Sequence, residues 1–204
     1  MKSFVNFSKR FCRNRSAVVG FLLLVCVALM ALLAPLLFPE DPWEMVAAPF
    51  LWPGQDPKFP LGSDIMGRDL ASGLFHGARI SLLVGFTATL AAVLVGIAVG
   101  AIAGYYGGRV DSALMSLTEL FQTIPQFIFA IVVVAILAPT VTTVTLALAI
   151  VSWPSVARLV RAEFMTLRER DFVSAGISIG MSDLRIITTQ ILPNALGPSS
   201  SWVR

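Results

Sequence analysis

The sequence predicts an all-α polytopic membrane protein with about four transmembrane helices, followed by a bent helical segment. Three observations support this fold class. Of the 204 residues, 56% are hydrophobic; only 13% are charged, against about 25% in a typical soluble domain; and the charges cluster between long apolar runs. The net charge of +3 comes from basic residues that flank those runs. It therefore indicates orientation in a membrane and not a nucleic-acid surface.

The first apolar run, residues 17–38, follows a basic N-terminal stretch of residues 1–16 that contains no acidic residue. The run is long enough to cross about 30 Å of hydrocarbon as a helix. A cleaved signal peptide is the alternative, because Ala31 and Ala34 resemble a cleavage site. The run exceeds the roughly 7–15 apolar residues of a signal-peptide core. We therefore predict an uncleaved first span.

Residues 39–78 differ in character from what precedes them. They contain six prolines and six acidic residues, but only two Lys or Arg. This composition predicts an extended extracytoplasmic loop and not a folded domain. Within the loop, Asp64, Arg68 and Asp69 are expected to hydrogen bond inside a turn that fixes how the chain re-enters the membrane. No nucleophile and base accompany them, so a catalytic role is not indicated.

Residues 79–204 form the predicted main transmembrane domain, whose first helix, the second span of the chain, covers residues 80–106. Within that span Gly96, Gly100 and Gly104 occur at every fourth position. Small residues at this spacing let another helix approach closely, which is a major source of helix association in lipid. We therefore predict a packing seam along this helix.

The third and fourth spans are predicted at residues 114–138 and 141–157. The third contains Glu119 and Gln122. An ionisable group inside hydrocarbon costs about 2.5–3.5 kcal/mol on insertion scales, so such a residue usually faces protein or water. We expect an interface or structural role for Glu119, with a place in the headgroup layer as the alternative.

Orientation follows from the distribution of basic residues. With the N-terminus inside, 12 of the 15 Lys and Arg lie on the inner side, in the N-terminal stretch, in the turn at Gly107 and after residue 157. The positive-inside rule then places both ends of the chain and residues 158–198 in the cytoplasm.

Residues 168–193, here called the bent segment, carry the clearest pattern. Three apolar residues recur at helical spacing, then Gly180 interrupts them, and Ser182 offers a hydroxyl N-cap for a second helix. The two apolar sets are Phe172, Val173 and Ile177, then Leu184, Ile187 and Ile191. The pattern predicts helix, bend and helix, a form that suits the boundary between a membrane core and a soluble partner. An ordinary cytosolic loop is the alternative, because each piece is short.

The bent segment resembles the cytoplasmic EAA loop of binding-protein-dependent ABC transporter permeases. That family's pattern is Glu-Ala-Ala, three residues, Gly, nine residues, then Ile-x-Leu-Pro. The matching positions are Ala175, Gly180, Leu192 and Pro193, and the departures are Ser174 for Glu, Gly176 for Ala and Gln190 for Ile. The run LGSDIMGRD at residues 61–69 resembles the LGTDxxGRD run of the dipeptide, oligopeptide and nickel branch. Two matches in the family's order are more specific than either alone.

The resemblance implies a permease subunit in a bacterial inner membrane. It implies a sister permease, two ABC ATPase subunits beneath the membrane and an extracytoplasmic substrate-binding protein. It also implies that the bent segment docks in a groove of the ATPase. The residues then expected near that contact are Ser174, Ala175, Gly176, Gly180, Asp183, Leu192 and Pro193. In such a permease, the glycine face of the second span has a second interpretation as a wall of the translocation path, and Glu119 has one as a cargo contact.

Nucleotide binding by this chain is not predicted. The lysines are Lys2, Lys9 and Lys58, and none follows a glycine, so no P-loop is present in the sequence. We expect ATP hydrolysis on another chain, and no enzyme activity, cofactor or metal here. The two cysteines, Cys12 and Cys26, show neither disulfide nor metal-site spacing.

The family's members normally continue into further spans after the Leu-Pro, so the resemblance implies a chain truncated at its C-terminus. The sequence does not predict whether the cargo is a peptide or nickel. A secondary transporter is one alternative, for which Glu119 is weak support. A non-transporting membrane scaffold is another, although it gives no reason for the pattern of the bent segment.

Overall fold

The computed structural model describes Phe11 and residues 13–195, which contain helices and no strand. The helices are α1 Arg15–Leu37, α2 Leu70–Tyr106, α3 Gly108–Thr123, α4 Gln126–Ile136, α5 Val141–Arg168, α6 Asp171–Ser178 and α7 Asp183–Arg185, then a π-helical segment Ile186–Ile191 and α8 Leu192–Ala195. The predicted helical fold class is confirmed. The chain divides into two compact units, Met1–Leu83 and Val84–Arg204, and α2 contributes residues to both.

Three helices, α1, α2 and α5, are long and apolar enough to cross a membrane. The α3 and α4 helices meet at 76° across a short break, and as one broken span they give a fourth candidate. Large apolar side chains are exposed along all of these helices. Such exposure is expected where helices face lipid, because lipid tails are as apolar as the side chains themselves.

In the first unit, α1 begins and ends with specific hydrogen bonds. The Asn14 side chain accepts the Ala17 amide at 3.3 Å, which satisfies one of the free N–H groups at the start of the helix. After α1, the carbonyl oxygen of Phe38 lies 3.0 Å from Nε2 of His76 in α2. The lone histidine of the sequence therefore connects α2 to the end of α1.

Residues 39–69 correct the prediction of an extended loop, because hydrogen bonds tie them into turns. The hydroxyl of Ser63 donates to the carbonyl of Ala48 at 2.5 Å and accepts the amide of Leu51 at 3.0 Å. Gly67 adopts a φ of +78°, and a Cβ there would stand 2.2 Å from the carbonyl oxygen of Ala47. Only glycine fits so close a backbone approach.

The predicted turn at residues 61–69 is confirmed. The Asp64 carboxylate accepts the amides of Met66 and Arg68 at 2.8 and 2.9 Å. These bonds, that of Arg68 first, hold the pKa of Asp64 below its ordinary value of 3.8. Asp69 accepts the amide of Ala71 at 2.9 Å, and the helix that contains the predicted second span begins here, at Leu70.

The helices that contain the third and fourth predicted spans have other bounds than those spans. The third is not continuous over residues 114–138: it breaks between α3 and α4, because Pro125 has no N–H and forces Ile124 into an extended conformation. The helix that contains the predicted fourth span continues past residue 157 to Arg168, because helical hydrogen bonding does not end where hydrophobicity does.

In the second unit, the three seam glycines lie against α5. A Cβ on Gly96 would stand 2.5 Å from Cβ of Val156, and a Cβ on Gly104 would stand 2.6 Å from Cβ of Phe164. Between them, a Cβ on Gly100 would stand 2.4 Å from the carbonyl oxygen of Ala157. Residue numbers rise together on both helices, so this part of α2 and α5 run in the same direction.

Two parallel helices require an odd number of crossings between them. Asp111, near the start of α3, pairs with Arg161 of α5 through both carboxylate oxygens. Further along, the rings of Phe121 and Trp153 are 5.4 Å apart. The α3–α4 pair thus follows α5 back from residue 161 past residue 153, as one broken span between two parallel helices would.

Candidate functional site

The bent segment contains the predicted helix, bend and second helix. The first helix, α6, gives way at Gly180, whose φ is +79°. The Gly180 amide donates to the carbonyl of Ile177 at 2.9 Å, and the Met181 amide donates to that of Gly176 at 3.1 Å. These two bonds close the end of α6 around a left-handed residue, for which glycine is the least strained choice.

The start of the second helix corrects one prediction. Ser182 has the extended conformation of an N-cap residue, but its side chain makes no capping hydrogen bond. Its main-chain carbonyl accepts the amide of Ile186 at 3.0 Å instead. The bend therefore depends on backbone hydrogen bonding and not on the serine hydroxyl.

The apolar faces of the two arms also differ from those predicted. In the first arm Val173 is buried, whereas Ile177 is 58% exposed. In the second arm Ile186 and Ile191 are fully buried, and Leu184 is 72% exposed. Ile186–Ile191 is π-helical, and its wider turn brings residues five apart to the same side. A spacing of three and four residues could not reveal that face.

The buried side of the bent segment packs on the ends of α2 and α5. One apolar cluster joins all three parts, and its buried members are Ala101, Tyr105, Val160, Phe164, Val173, Ile186 and Ile191. Phe164 is fully buried at its centre, in the part of α5 that lies beyond the predicted span. The bent segment therefore packs against two transmembrane helices, and not only against α5, to which it is directly connected.

A side-chain hydrogen bond adds to this packing. The hydroxyl of Tyr105 donates to Oδ1 of Asp183 at 2.8 Å. Tyr105 is 7% exposed and lies one residue before the end of α2. The sequence pattern singled out Asp183 but not Tyr105, because the two are 78 residues apart and share no local signal.

Two of the three departures from the EAA pattern contact each other. A Cβ on Gly176 would stand 2.9 and 3.0 Å from Oε1 and Nε2 of Gln190. The Gln190 amide nitrogen lies 3.1 Å from Sδ of Met181, and its buried oxygen has no hydrogen-bond partner among the residues that the structure describes. Gly176 thus leaves the space that the amide of Gln190 occupies between the two arms.

The outer side of the bend is open and partly apolar. Ile177, Ile179 and Leu184 are 58%, 78% and 72% exposed. The predicted site residues Ser174, Ala175, Gly180 and Pro193 are exposed as well, and Leu192 is half-buried. Most of the predicted contact residues therefore share the accessible side of the segment, while Gly176 faces inward.

Glu119 and Gln122 lie apart from the bent segment, on α3. Glu119 is exposed and Gln122 is half-buried, next to the break before α4. Neither side chain forms a hydrogen bond within the described part of the second unit. Their polar groups are available to a partner or to water, which is where an intramembrane polar group is tolerated.

Comparison with known proteins assigns the class. A family described as the binding-protein-dependent transport system inner membrane component matches residues 96–201, which include the glycine seam and the bent segment. A second family, the N-terminal TM domain of oligopeptide transport permease C, matches residues 4–60. The chain belongs to the family of binding-protein-dependent transport system inner membrane components.

Individual relatives narrow the comparison to peptide permeases. The chain is 39% identical to the dipeptide transport system permease protein DppC of Haemophilus influenzae, over 92% of this chain and 65% of that protein. It is 36% identical to the di/tripeptide permease DppC of Pseudomonas aeruginosa, over 94% of this chain and 65% of the relative. It is 33% identical to the oligopeptide permease OppC of H. influenzae, over 93% and 61%. The chain thus spans less than two thirds of the length of these relatives. The predicted resemblance to the dipeptide and oligopeptide branch is confirmed, and nickel transport stays a prediction.

Proposed function

We propose that this chain is a permease subunit of an ATP-driven importer of dipeptides or oligopeptides, and that it couples to a separate ATPase through the bent segment. Its family membership and the peptide permeases among its relatives support this function. In this proposal the chain forms part of the translocation path and hydrolyses no ATP itself. A sister permease and an extracytoplasmic binding protein complete the importer.

The arrangement of the bent segment is the observation that carries the proposal. Its inner side is packed on α2 and α5, while Ile179 and Leu184 at the bend are open to a partner. A soluble partner bound to this outer side therefore acts on a segment that is packed against both helices. A displacement there reaches the transmembrane helices, where a flexible loop would absorb it.

The orientation of the segment belongs to the same proposal. We place the N-terminus and the bent segment in the cytoplasm, where an ATPase has access to nucleotide. The excess of Lys and Arg on that side and the parallel course of α2 and α5 support this orientation. We assign Glu119 and Gln122 to contact with the sister permease or with water in the path.

Co-purification of the ATPase with the tagged chain tests the proposal. We expect the ATPase and the sister permease to co-purify with the wild-type chain. The variant Ile179→Ala/Leu184→Ala removes two open apolar side chains, so we expect its retention of the ATPase to fall by about tenfold or more.

The matched control is Leu159→Ala, which truncates a side chain that is 71% exposed but lies on α5, away from the bend. It is expected to retain the ATPase like the wild type. Equal loss in both variants, or undiminished retention in the double variant, would contradict a docking surface at the bend.

A further inference from the structure

We propose that Tyr105 is a positioning residue that ties the bent segment to α2, so that a displacement of the bend moves α2 together with α5. This inference rests on the proposed function, because it states how that displacement reaches a second helix. The contact that carries it is the hydrogen bond from the Tyr105 hydroxyl to Oδ1 of Asp183, 2.8 Å long.

The position of Asp183 determines which part of the bent segment the hydrogen bond holds. Asp183 follows Ser182 directly and opens the second arm, three residues after the bend at Gly180. Its carboxylate is therefore fixed to the part of the segment that a docked partner displaces. A hydrogen bond to a carboxylate is stronger and shorter than one between neutral groups, so it resists separation of the two elements.

The position of Tyr105 fixes the other end of this hydrogen bond. Its ring is buried in the cluster with Val160, Phe164 and Ile186, so the hydroxyl reaches Asp183 from a fixed base. The apolar contacts around it hold the surfaces together but have no preferred direction, because hydrophobic attraction is non-directional. The hydroxyl adds a fixed direction and length to the contact between α2 and the second arm.

The seam between α2 and α5 explains why this tie matters. The glycine seam fits the two helices closely between residues 96–104 and 153–164, as the backbone approach at Gly100 shows. A displacement of α5 alone would have to move the two closely packed helices past each other. The hydrogen bond from Tyr105 to Asp183 transmits the same displacement to α2 directly. The two helices then move as one body.

The variant Tyr105→Phe tests the tie, because it removes the hydroxyl and leaves the buried ring in place. The neighbouring Tyr106 supplies the control variant Tyr106→Phe, since Tyr106 is 49% exposed and no hydrogen bond of its hydroxyl is described. The first measurement is amide hydrogen exchange of residues 181–186 in the purified full chain without partners. We expect exchange about fivefold faster in Tyr105→Phe than in the wild type, and unchanged exchange in Tyr106→Phe.

The second measurement is the amount of peptide taken up per ATP hydrolysed, in the importer reconstituted with ATPase, sister permease and binding protein. We expect this ratio to fall by about tenfold in Tyr105→Phe with ATP hydrolysis retained, and to stay at the wild-type value in Tyr106→Phe. A merely structural tyrosine would not separate uptake from hydrolysis.

Unchanged exchange in Tyr105→Phe would overturn the tie, whatever the partners do. Faster exchange with an unchanged uptake ratio would overturn its positioning role. If the wild-type chain binds no ATPase at all, the proposed function fails, and the exchange measurement still decides whether the hydroxyl holds the segment.

Discussion

Gly176 and Gln190 show at the scale of single residues how two departures from a family pattern fit each other. The missing Cβ of Gly176 leaves space for the amide of Gln190, which lies against it at the junction of the two arms. Each departure alone is a mismatch to the EAA pattern. Together they form one contact, which a comparison of positions taken singly does not reveal.

This contact predicts an interaction between two substitutions. Gly176→Ala gains about 0.5–1 kcal/mol of helix stability from the added Cβ, but it crowds the Gln190 amide. In a Gln190→Ala background the crowding is gone, so we expect the variant to stabilise the protein by about that amount. In the wild-type background we expect Gly176→Ala to be about 1 kcal/mol less favourable to stability than in the Gln190→Ala background. This cost is small because the amide lies at the end of a flexible side chain and can move.

Unfolding in detergent measured on the wild type, the two single variants and the double variant gives the interaction energy. The helix gain is the same in both backgrounds and cancels in the comparison. The same effect of Gly176→Ala in both backgrounds would contradict the contact.

At the scale of elements, the seam between α2 and α5 makes the sharpest prediction. Gly100→Ala would place a Cβ 2.4 Å from a backbone oxygen of α5 and 2.8 Å from Cβ of Val160, neither of which can rotate away. We expect a loss of about 2–3 kcal/mol in stability, since the helices must separate.

Gly85 provides the matched control on the same helix, because no atom of the described residues, apart from its own stretch of helix, lies within 4 Å of the place its Cβ would take. We expect Gly85→Ala to be neutral or to stabilise the protein by up to about 1 kcal/mol. Unfolding of both variants in detergent measures the difference. Equal effects at the two positions would show that the helices do not approach each other at Gly100.

Element boundaries show how far the sequence alone reaches. Spacing predicts helices and identifies Gly180 as the bend, because a left-handed glycine leaves a local signal. Hydrophobicity does not reveal where α5 ends, since the helix continues through polar residues to Arg168. Hydrophobicity also does not reveal the break at Pro125, where the lack of an N–H and not a change in polarity ends α3.

Long-range contacts and irregular helical turns are less accessible still. Nothing near Tyr105 in the sequence points to Asp183, and the π-helical turn moves Ile186 into the core against the spacing of an α-helix. The residues expected at a partner surface could be inferred from the sequence. The residues that hold this surface to the membrane helices could not, because they come from three separate helices.

At the scale of the whole molecule, coupling to a cytoplasmic ATPase depends on the side of the membrane that the bent segment faces. The parallel course of α2 and α5 requires the α3–α4 pair to cross once. The segment then lies on the same side as the turn at Gly107, which is the side the basic residues favour. An ATPase in the cytoplasm can use the segment only in this orientation.

Side-specific labelling of a cysteine at position 179 tests this central claim most directly. The measurement uses Ile179→Cys, at a position that is 78% exposed, in a chain whose Cys12 and Cys26 are replaced by serine. The control Trp52→Cys lies at a position that is 73% exposed in the segment predicted to be extracytoplasmic. We predict that a membrane-impermeant maleimide modifies position 179 in inverted vesicles but not in intact spheroplasts, and position 52 in spheroplasts. Modification of position 179 in spheroplasts would contradict the account.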